Sequence, residues 1–286
     1  PFGVFGAGEC GSGRLRALDV EHCSRIDTRD HAGSHETFEQ RDVHGLMLAQ
    51  NYLNRVRRIL DEIEKTQLEA IGRAADIVTA AIRGGGRLYL FGTGHSHIIA
   101  EEAFYRAGGL VPVNAILEPA LMLHEGPFKS TAMERLEGYA QIILDHSGIG
   151  PGDALMIISN SGRNAVPVEM ALIAKARRIP VIVLTSLAHS RSVPSRHSSG
   201  KHLFDVADVV IDNCGVPGDA VLEADGSAVQ ICPTSTVAGA AIINMIEAEV
   251  VERLCAMGVE PPVFVSANID GGDEFDQQWK GVLCRR

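Results

Sequence analysis

The feature that most constrains the fold of this chain is an alternation of short apolar runs with segments of helical pattern. The apolar runs lie at residues 87–91, 110–116, 154–158, 180–184 and 206–211. The helical segments lie at 96–107, 132–144, 166–178 and 236–257. Strands that are apolar throughout are typical of a parallel sheet covered on both faces. The pattern predicts an α/β protein, a three-layer αβα sandwich around a five-stranded parallel sheet.

Two long helices are predicted before the sheet. Apolar residues recur there every three or four positions, at Leu53, Val56, Leu60, Ile63, Leu68, Ile71, Ala75, Val78 and Ile82. Such a stripe is typical of an amphipathic helix. Thr66 and Glu69 match a capping box, which places a helix start at this point. For the last helix, the sequence predicts Ser235 or Thr236 as the N-cap.

The first 46 residues show no sustained periodicity and are rich in Gly, Arg, Asp and His. We expect residues 1–46 to be a disordered leader, and residues 47–286 to form a single domain with a C-terminal tail after about 258. Gly6, Gly8 and Gly11 match the dinucleotide fingerprint G-x-G-x-x-G. That fingerprint needs a preceding strand and a following helix. Only five residues precede Gly6, and the segment that follows is polar and irregular, so we do not expect a dinucleotide site.

Charge and cysteine content limit the classes of partner. The 286 residues include 36 acidic and 26 basic side chains, for a formal net charge of −10. Nucleic-acid affinity depends on basic charge, so we expect no nucleic-acid partner. No apolar run is long enough to span a bilayer, and we expect no membrane partner. The six cysteines are scattered without a C-x-x-C pair, which favours reduced thiols and a cytoplasmic location.

Two glycine- and hydroxyl-rich loops follow the first and third predicted strands. The first contains Gly92, Thr93, Gly94, His95 and Ser96, and the second contains Ser159, Asn160, Ser161, Gly162 and Asn164. Ligands of open parallel sheets bind at the carboxyl ends of the strands. Glycine lets the backbone approach an anion, and the N–H groups of a following helix point toward it. Either loop alone is also compatible with an ordinary strand–helix turn, but the pair predicts a phosphate site. No lysine follows the second glycine, which excludes a Walker-type nucleotide loop.

These two loops resemble the paired G-x-G-x-S and S-x-S-G-x-T loops of the SIS (sugar isomerase) domain family. The run 91–97, with 195–200 and Asp212-Asn213, is similar to a bacterial branch of that family. The resemblance implies a Rossmann-like fold that binds no dinucleotide. It also implies a sugar phosphate held by Ser96, Ser159 and Ser161, and a homodimer or homotetramer with shared sites. Asn164 replaces the usual threonine. Val166 replaces a frequent carboxylate, and Glu169 is the nearest acid.

Three side chains are candidates for acid–base chemistry. Aldose–ketose isomerisation needs a base that moves a proton between adjacent carbons and a group that shuttles hydroxyl protons. Glu102 follows the first loop on the predicted helix, and His124 and Glu125 follow the second strand. The segment that holds His124 resembles the histidine-bearing segment of arabinose-5-phosphate isomerases. Each of the three is also compatible with an ordinary surface residue.

Other polar residues have open roles. His95 and His97 form an H-x-H pair without an evident third ligand, so we predict neither a metal nor a cofactor. The loop 186–201 is either a lid or a solvated loop. Asp212, Asn213 and Asp219 follow the fifth strand and are candidates for contact with sugar hydroxyls.

The sequence therefore favours a sugar-phosphate-binding protein that isomerises a phosphosugar. Two alternatives share the same phosphate loops, a non-catalytic sugar-phosphate sensor and a lyase or deaminase acting on an amino-sugar phosphate.

Overall fold

A five-stranded parallel sheet forms the centre of the computed structural model, which describes residues 38–283. Its strand order is β2-β1-β3-β4-β5, and all four pairings are parallel. The strands are β1 (Leu88–Gly92), β2 (Val113–Ile116), β3 (Ala154–Ile158), β4 (Val181–Thr185) and β5 (Val209–Asp212). The predicted five-stranded parallel sheet is confirmed.

Helices precede the sheet, connect its strands and follow it. They are α1 (Phe38–Thr66), α2 (Leu68–Arg83), α3 (His97–Ala103), α4 (Pro127–Met133), α5 (Tyr139–His146), α6 (Ala165–Ala176), α7 (Leu187–Ser192), α8 (Ser235–Ala256), α9 (Gly272–Asp276) and α10 (Lys280–Leu283). The sheet and its connecting helices belong to one unit, Val43–Arg286. None of the helices in the described part of the chain is long and apolar enough to cross a membrane.

Each central strand is buried on both faces. In β1, Leu88 and Leu90 pack into one apolar cluster, and Tyr89 and Phe91 pack into another. Residues of α1, α2, α3 and α8 contribute to the first cluster, and residues of α5 and α6 contribute to the second. Burial of a large apolar side chain contributes roughly 1.5–3 kcal/mol, so the two clusters hold the three layers together.

The strand order has a switch point between β1 and β3. These neighbours are in register from Leu88 opposite Ala154 to Gly92 opposite Ile158. The helix after β1, α3, packs on one face of the sheet, whereas the helix after β3, α6, packs on the other. Two connections that leave in opposite directions open a crevice at the carboxyl edge, where ligands of such sheets bind.

Several predicted boundaries were wrong. The segment 96–107 begins with a 3₁₀ turn at Gly94–Ser96, and α3 ends at Ala103. The segment 132–144 is not one helix, because α4 ends at Met133 and α5 begins after Gly138. Gly138 has a φ of 87°, which is incompatible with a continuous α-helix. Residues 38–46, which were assigned to the leader, are helical as the start of α1. Residues 1–37 lie outside the described residues.

Both predicted helix caps were also wrong. The N-cap position of α2 is Gln67, without a side-chain cap, and the Thr66 hydroxyl donates to the Glu62 carbonyl within α1. At α8, the Asp219 carboxylate accepts hydrogen bonds from the Thr234 N–H (3.1 Å) and the Ser235 N–H (2.9 Å). The N-terminus of α8 is therefore capped by a carboxylate from another loop and not by a side chain at its own N-cap position.

Several elements were not predicted, among them the short helices α7, α9 and α10. An antiparallel hairpin of β6 (Ala220–Leu222) and β7 (Ile231–Pro233) lies between β5 and α8. The segment after α8 packs back on the body, where the Val111 N–H donates to the Pro262 carbonyl and the Phe264 N–H to the Gly109 carbonyl. The segment that was predicted as a tail therefore pairs with the loop before β2.

Candidate functional site

A cavity of about 160 Å³ opens at the switch point between β1 and β3. It is lined by His95, Ser96, Ile99, Ile158, Asn160, Leu184, Asn213, Asp219, Ser235 and Thr236. Pockets for whole small molecules usually measure about 300–1,000 Å³. The cavity therefore accommodates one end of a ligand, with the remainder outside it.

The first loop brings Ser96 to this cavity because Gly92 allows a very tight turn. A side chain at Gly92 would place its Cβ 2.6 Å from the backbone of Ser96. Gly94 has a φ of 55°, which glycine adopts without strain, and it begins the 3₁₀ turn that ends at Ser96. Within the described residues, no hydrogen bond engages the Ser96 hydroxyl. Thr93 differs, because its buried hydroxyl donates to Glu134 Oε2 at 2.8 Å and so ties the loop to the α4–α5 turn.

The polar groups of the second loop differ in their hydrogen-bond partners. Asn160 lines the cavity, and its Oδ1 accepts from Asn213 Nδ2 at 2.8 Å. Ser161 is half-buried, and no described residue bonds its hydroxyl. The Ser159 hydroxyl is buried and accepts from the Gly162 N–H at 3.2 Å. Ser159 is therefore a brace of the loop in this geometry.

Gly162 and Asn164 attach the loop 186–201 to the second loop. Gly162 has a φ of 58°, and a Cβ there would lie 2.8 Å from the Ser190 hydroxyl. Asn164 is buried at the N-cap position of α6, and its Oδ1 accepts from Arg196 Nη1 at 2.8 Å. The loop 186–201, for which a lid and a solvated loop were both open, is hydrogen-bonded to the second loop, and none of its residues lines the cavity.

The third wall of the cavity is the start of α8. Ser235 and Thr236 line it beside Asp219, whose carboxylate also accepts from the Ser235 hydroxyl at 2.5 Å. The sequence identified Asn213 and Asp219 as site candidates but not Ser235 and Thr236. Two adjacent hydroxyls at the start of a predicted helix were the available signal, and we interpreted them only as caps.

Comparison with known proteins places this architecture in a family. A model of the SIS domain matches residues 51–186. A UPF0309 protein of Geobacillus thermodenitrificans is 47% identical over 228 residues, which cover 80% of this chain and 92% of that protein. A UPF0309 protein of Shouchella clausii is 48% identical over 229 residues, covering 80% and 93%.

The chain belongs to the UPF0309 family.

A solved phosphoheptose isomerase from Francisella tularensis shares the fold of this UPF0309 chain. The two are 18% identical with a TM-score of 0.50, over 73% of this chain and 98% of that one. The likeness confirms the α/β fold of the SIS domain.

The three catalytic candidates of the UPF0309 chain do not line the cavity. Glu102 is half-buried on α3, where it forms an ion pair with Arg106, and Asn244 Nδ2 of α8 lies 3.4 Å from its Oε1. Glu125 is exposed and pairs with Lys129, whose hydrogen bond and charge lower the pKa of this carboxyl. His124 is exposed in the 3₁₀ turn Leu123–Glu125, on the loop after β2 at the carboxyl edge. Glu169, the acid nearest to Val166, accepts from the Gly138 and Ala140 N–H groups and thereby caps α5.

The UPF0309 chain has another acid–base group, His97, directly after the first loop. His97 is buried, and its Nδ1–H donates to the Gly94 carbonyl at 3.2 Å, whereas no described residue bonds Nε2. Burial lowers the pKa of His97, an effect that the Gly94 carbonyl and the Glu101 and Glu118 carboxylates oppose. Burial therefore favours the neutral form of the imidazole.

Glu118 and Tyr139 form a second pair that the sequence did not reveal. The Tyr139 hydroxyl donates to Glu118 Oε1 at 2.6 Å, and both residues line a cavity of about 740 Å³ along the outer edge of β2. Burial and the Glu118 carboxylate raise the pKa of Tyr139 to about 12. This cavity is larger than the one at the switch point, but the two glycine-rich loops do not line it. Among the described residues, no group of three His, Cys, Asp or Glu side chains is placed to hold a metal.

Proposed function

We propose that this protein binds a sugar phosphate, with its phosphate in the cavity at the switch point, and isomerises the sugar between aldose and ketose forms. The observation that carries the proposal is the position of Ser96, whose hydroxyl no described residue bonds, in a small cavity between β1 and β3. Ser161, on the neighbouring loop but outside the cavity lining, has a second hydroxyl that no described residue bonds. The fold shared with a phosphoheptose isomerase is consistent with this chemistry.

The phosphate is held by neutral donors in this proposal. Hydrogen bonds to a charged group contribute roughly 1.5–3 kcal/mol each, so a few converging hydroxyl, amide and backbone donors suffice. Asp219 on the opposite wall already accepts hydrogen bonds from the start of α8. Its carboxylate can also accept hydrogen bonds from the hydroxyls of a sugar. The cavity therefore orients the ligand with its phosphate toward the two loops and its hydroxyls toward β5 and α8.

Chemistry takes place at the sugar end, outside the cavity. A base removes the proton from the carbon beside the carbonyl and returns it to the neighbouring carbon, while a second group moves hydroxyl protons. We assign the second role to His124, because histidine exchanges protons near neutral pH and this loop lies at the same edge of the sheet. Glu102 and Glu125 are the proposed bases. The exposure of His124 and Glu125 is compatible with a site completed by a second copy of the chain.

A solvent-exchange experiment tests the enzymatic part of this proposal. Phosphosugars that raise the melting temperature are incubated with the protein in D₂O, and deuterium incorporation at carbon is followed by NMR. We expect exchange in the wild type, and its loss in His124→Gln and Glu102→Gln with affinity changed by less than about tenfold, or 1.4 kcal/mol. Glu101→Gln, the exposed neighbour of Glu102, is the matched control and should exchange normally.

The same experiment separates the alternatives. Thermal stabilisation without any exchange supports a non-catalytic sensor. Release of ammonia or of a leaving group from the sugar supports a deaminase or lyase. Normal exchange in both variants shows that the catalytic assignment is wrong, although the phosphate cavity stands.

A further inference from the structure

Three arginines gather beside the second loop, outside the cavity at the switch point. Arg163 follows Gly162 within the loop itself. Arg196 is fixed to that loop by two hydrogen bonds, from its backbone N–H to the Arg163 carbonyl (2.8 Å) and from Nη1 to Asn164 Oδ1 (2.8 Å). Arg135 comes from the α4–α5 turn.

The turn that carries Arg135 is also anchored to the site. Its neighbour Glu134 accepts from the Thr93 hydroxyl at 2.8 Å, and the Glu134 carbonyl accepts from the Val166 N–H at 3.0 Å. The three guanidinium groups therefore come from three segments that are each bonded to the phosphate loops or to the start of α6.

No described acidic residue forms an ion pair with these three arginines. Among the described residues, the ion pairs of arginine involve Arg106, Arg177 and Arg253 and none of these three. Arg163 Nε is buried, and no described residue bonds it. Burial and the charges of Arg163 and Arg135 lower the pKa of Arg196, while Glu134 opposes this shift. The three arginines therefore form a local excess of positive charge in a chain whose formal net charge is −10.

The cluster lies within reach of a molecule bound in the cavity. Asn160 lines the cavity, and Arg163 is three residues further along, at most about 11 Å of chain. The charges of both regions act on His189. Burial lowers the pKa of this imidazole, Asp219 of the cavity wall opposes that shift, and Arg163 adds to it. An anionic group on the part of the ligand outside the cavity can therefore meet these side chains.

We propose that Arg135, Arg163 and Arg196 form a second anion subsite, which binds a carboxylate or a second phosphate on the sugar phosphate held in the cavity. Planar guanidinium groups bind both kinds of anion through paired hydrogen bonds, which a lysine does not reproduce. The substrate class is then a phosphosugar with a second negative group at a distance from the first. This inference rests on one part of the proposed function, the binding of the phosphate end of the ligand in the cavity.

Isothermal titration calorimetry on the full chain tests this subsite. The probes are two matched pairs, glucose 6-phosphate with 6-phosphogluconate, and fructose 6-phosphate with fructose 1,6-bisphosphate. We expect the doubly anionic member of at least one pair to bind at least tenfold more tightly. The pair that shows the gain distinguishes a carboxylate from a second phosphate. Arg163→Gln and Arg196→Gln should each reduce the gain to under threefold and leave monophosphate affinity within about twofold.

Control variants keep the outcome interpretable. Arg73→Gln, an exposed arginine on α2, should preserve the gain, and Arg163→Lys should restore only part of it. Arg135→Gln, on an exposed side chain, tests the subsite without altering the second loop. Ser161→Ala should weaken both members of each pair equally.

Three different results would each overturn either the second anion subsite or the proposed function. No gain from the second anion, with normal monophosphate binding, removes the subsite and leaves the proposed function. Equal weakening of both members in Arg163→Gln makes this arginine part of the phosphate site and also removes the subsite. A gain that persists while phosphorylation itself adds nothing to affinity contradicts the proposed function instead.

Discussion

Glu247 shows at the residue scale how strongly this fold perturbs a single side chain. It lies in α8 with 6% of its surface exposed, and no described residue bonds its Oε1. Burial raises its pKa to about 7, Arg106 opposes the shift, and Glu102 adds to it. The carboxyl therefore holds a proton in the folded state at pH values where it loses one in the unfolded chain.

Glu247 should make stability fall as pH rises. The folded pKa of about 7 exceeds the ordinary value of 4.5, so the stabilisation is present below about 4.5 and is lost by about 7. Glu247→Gln, which imitates the protonated form, should raise the free energy of unfolding at pH 8 by up to about 3 kcal/mol and change it little at pH 4.5. Urea unfolding at both pH values measures the difference, with the exposed Glu252→Gln as control. An effect of equal size at both pH values would contradict the assignment.

Single residues also show what a sequence pattern can and cannot predict. Ser96 and Ser161 were predicted as ligand groups because glycine-rich loops after strands expose their hydroxyls. Thr93 belongs to the same motif, but Glu134, 41 residues away, takes its hydroxyl. Spacing along the chain cannot distinguish a hydroxyl that faces a ligand from one that braces a loop.

At the scale of elements, the start of α8 depends on a carboxylate that is remote in sequence. Asp219 has a φ of 70° and accepts hydrogen bonds from the Thr234 and Ser235 backbones and from the Ser235 hydroxyl. Its loop thereby joins the end of the sheet to the last long helix and shapes one wall of the cavity.

Removing this remote cap should loosen both the helix and the cavity. Asp219→Ala should lower the free energy of unfolding by about 1–2 kcal/mol from the lost cap, with a further cost because alanine disfavours this φ. Asp219→Asn, which keeps an acceptor and tolerates the left-handed region, should lose less. Guanidinium unfolding compares both with Asp225→Ala, an exposed position in the following hairpin. Equal stability of Asp219→Ala and the wild type would exclude the capping role.

The order of elements was predictable, whereas their ends were not. Apolar strands and the apolar stripes of helices reflect which side chains are buried. The spacing of these side chains repeats within each element, so it can be recognised from a short stretch of sequence. The cap of α8, the division between α4 and α5, and the β6–β7 hairpin depend on contacts between distant residues or on short irregular turns. The candidate site follows the same rule, since its two loops were predicted but its α8 wall was not. The Glu118–Tyr139 pair, in the separate cavity along β2, was not predicted either.

At the scale of the whole molecule, we predict that the protein assembles into a dimer or tetramer. The surface retains large exposed apolar side chains, among them Leu53 at 48%, Tyr105 at 62% and Phe128 at 90%. Surfaces of this kind often mark contacts between subunits. Multi-angle light scattering at micromolar concentration should give at least twice the chain mass of 30.6 kDa, and Leu53→Glu should shift the population toward monomer. A monomeric wild type would contradict the prediction.

The central claim is that phosphate anchors the ligand between the two loops, and calorimetric affinity measures it most directly. For a sugar phosphate that stabilises the protein, the wild type should bind it far more tightly than the same sugar without phosphate. Ser96→Ala and Ser161→Ala should each weaken that binding by about 1–3 kcal/mol and leave the weak binding of the free sugar unchanged. Equal affinity for the phosphorylated and unphosphorylated sugars, in the wild type and in both variants, would contradict the account.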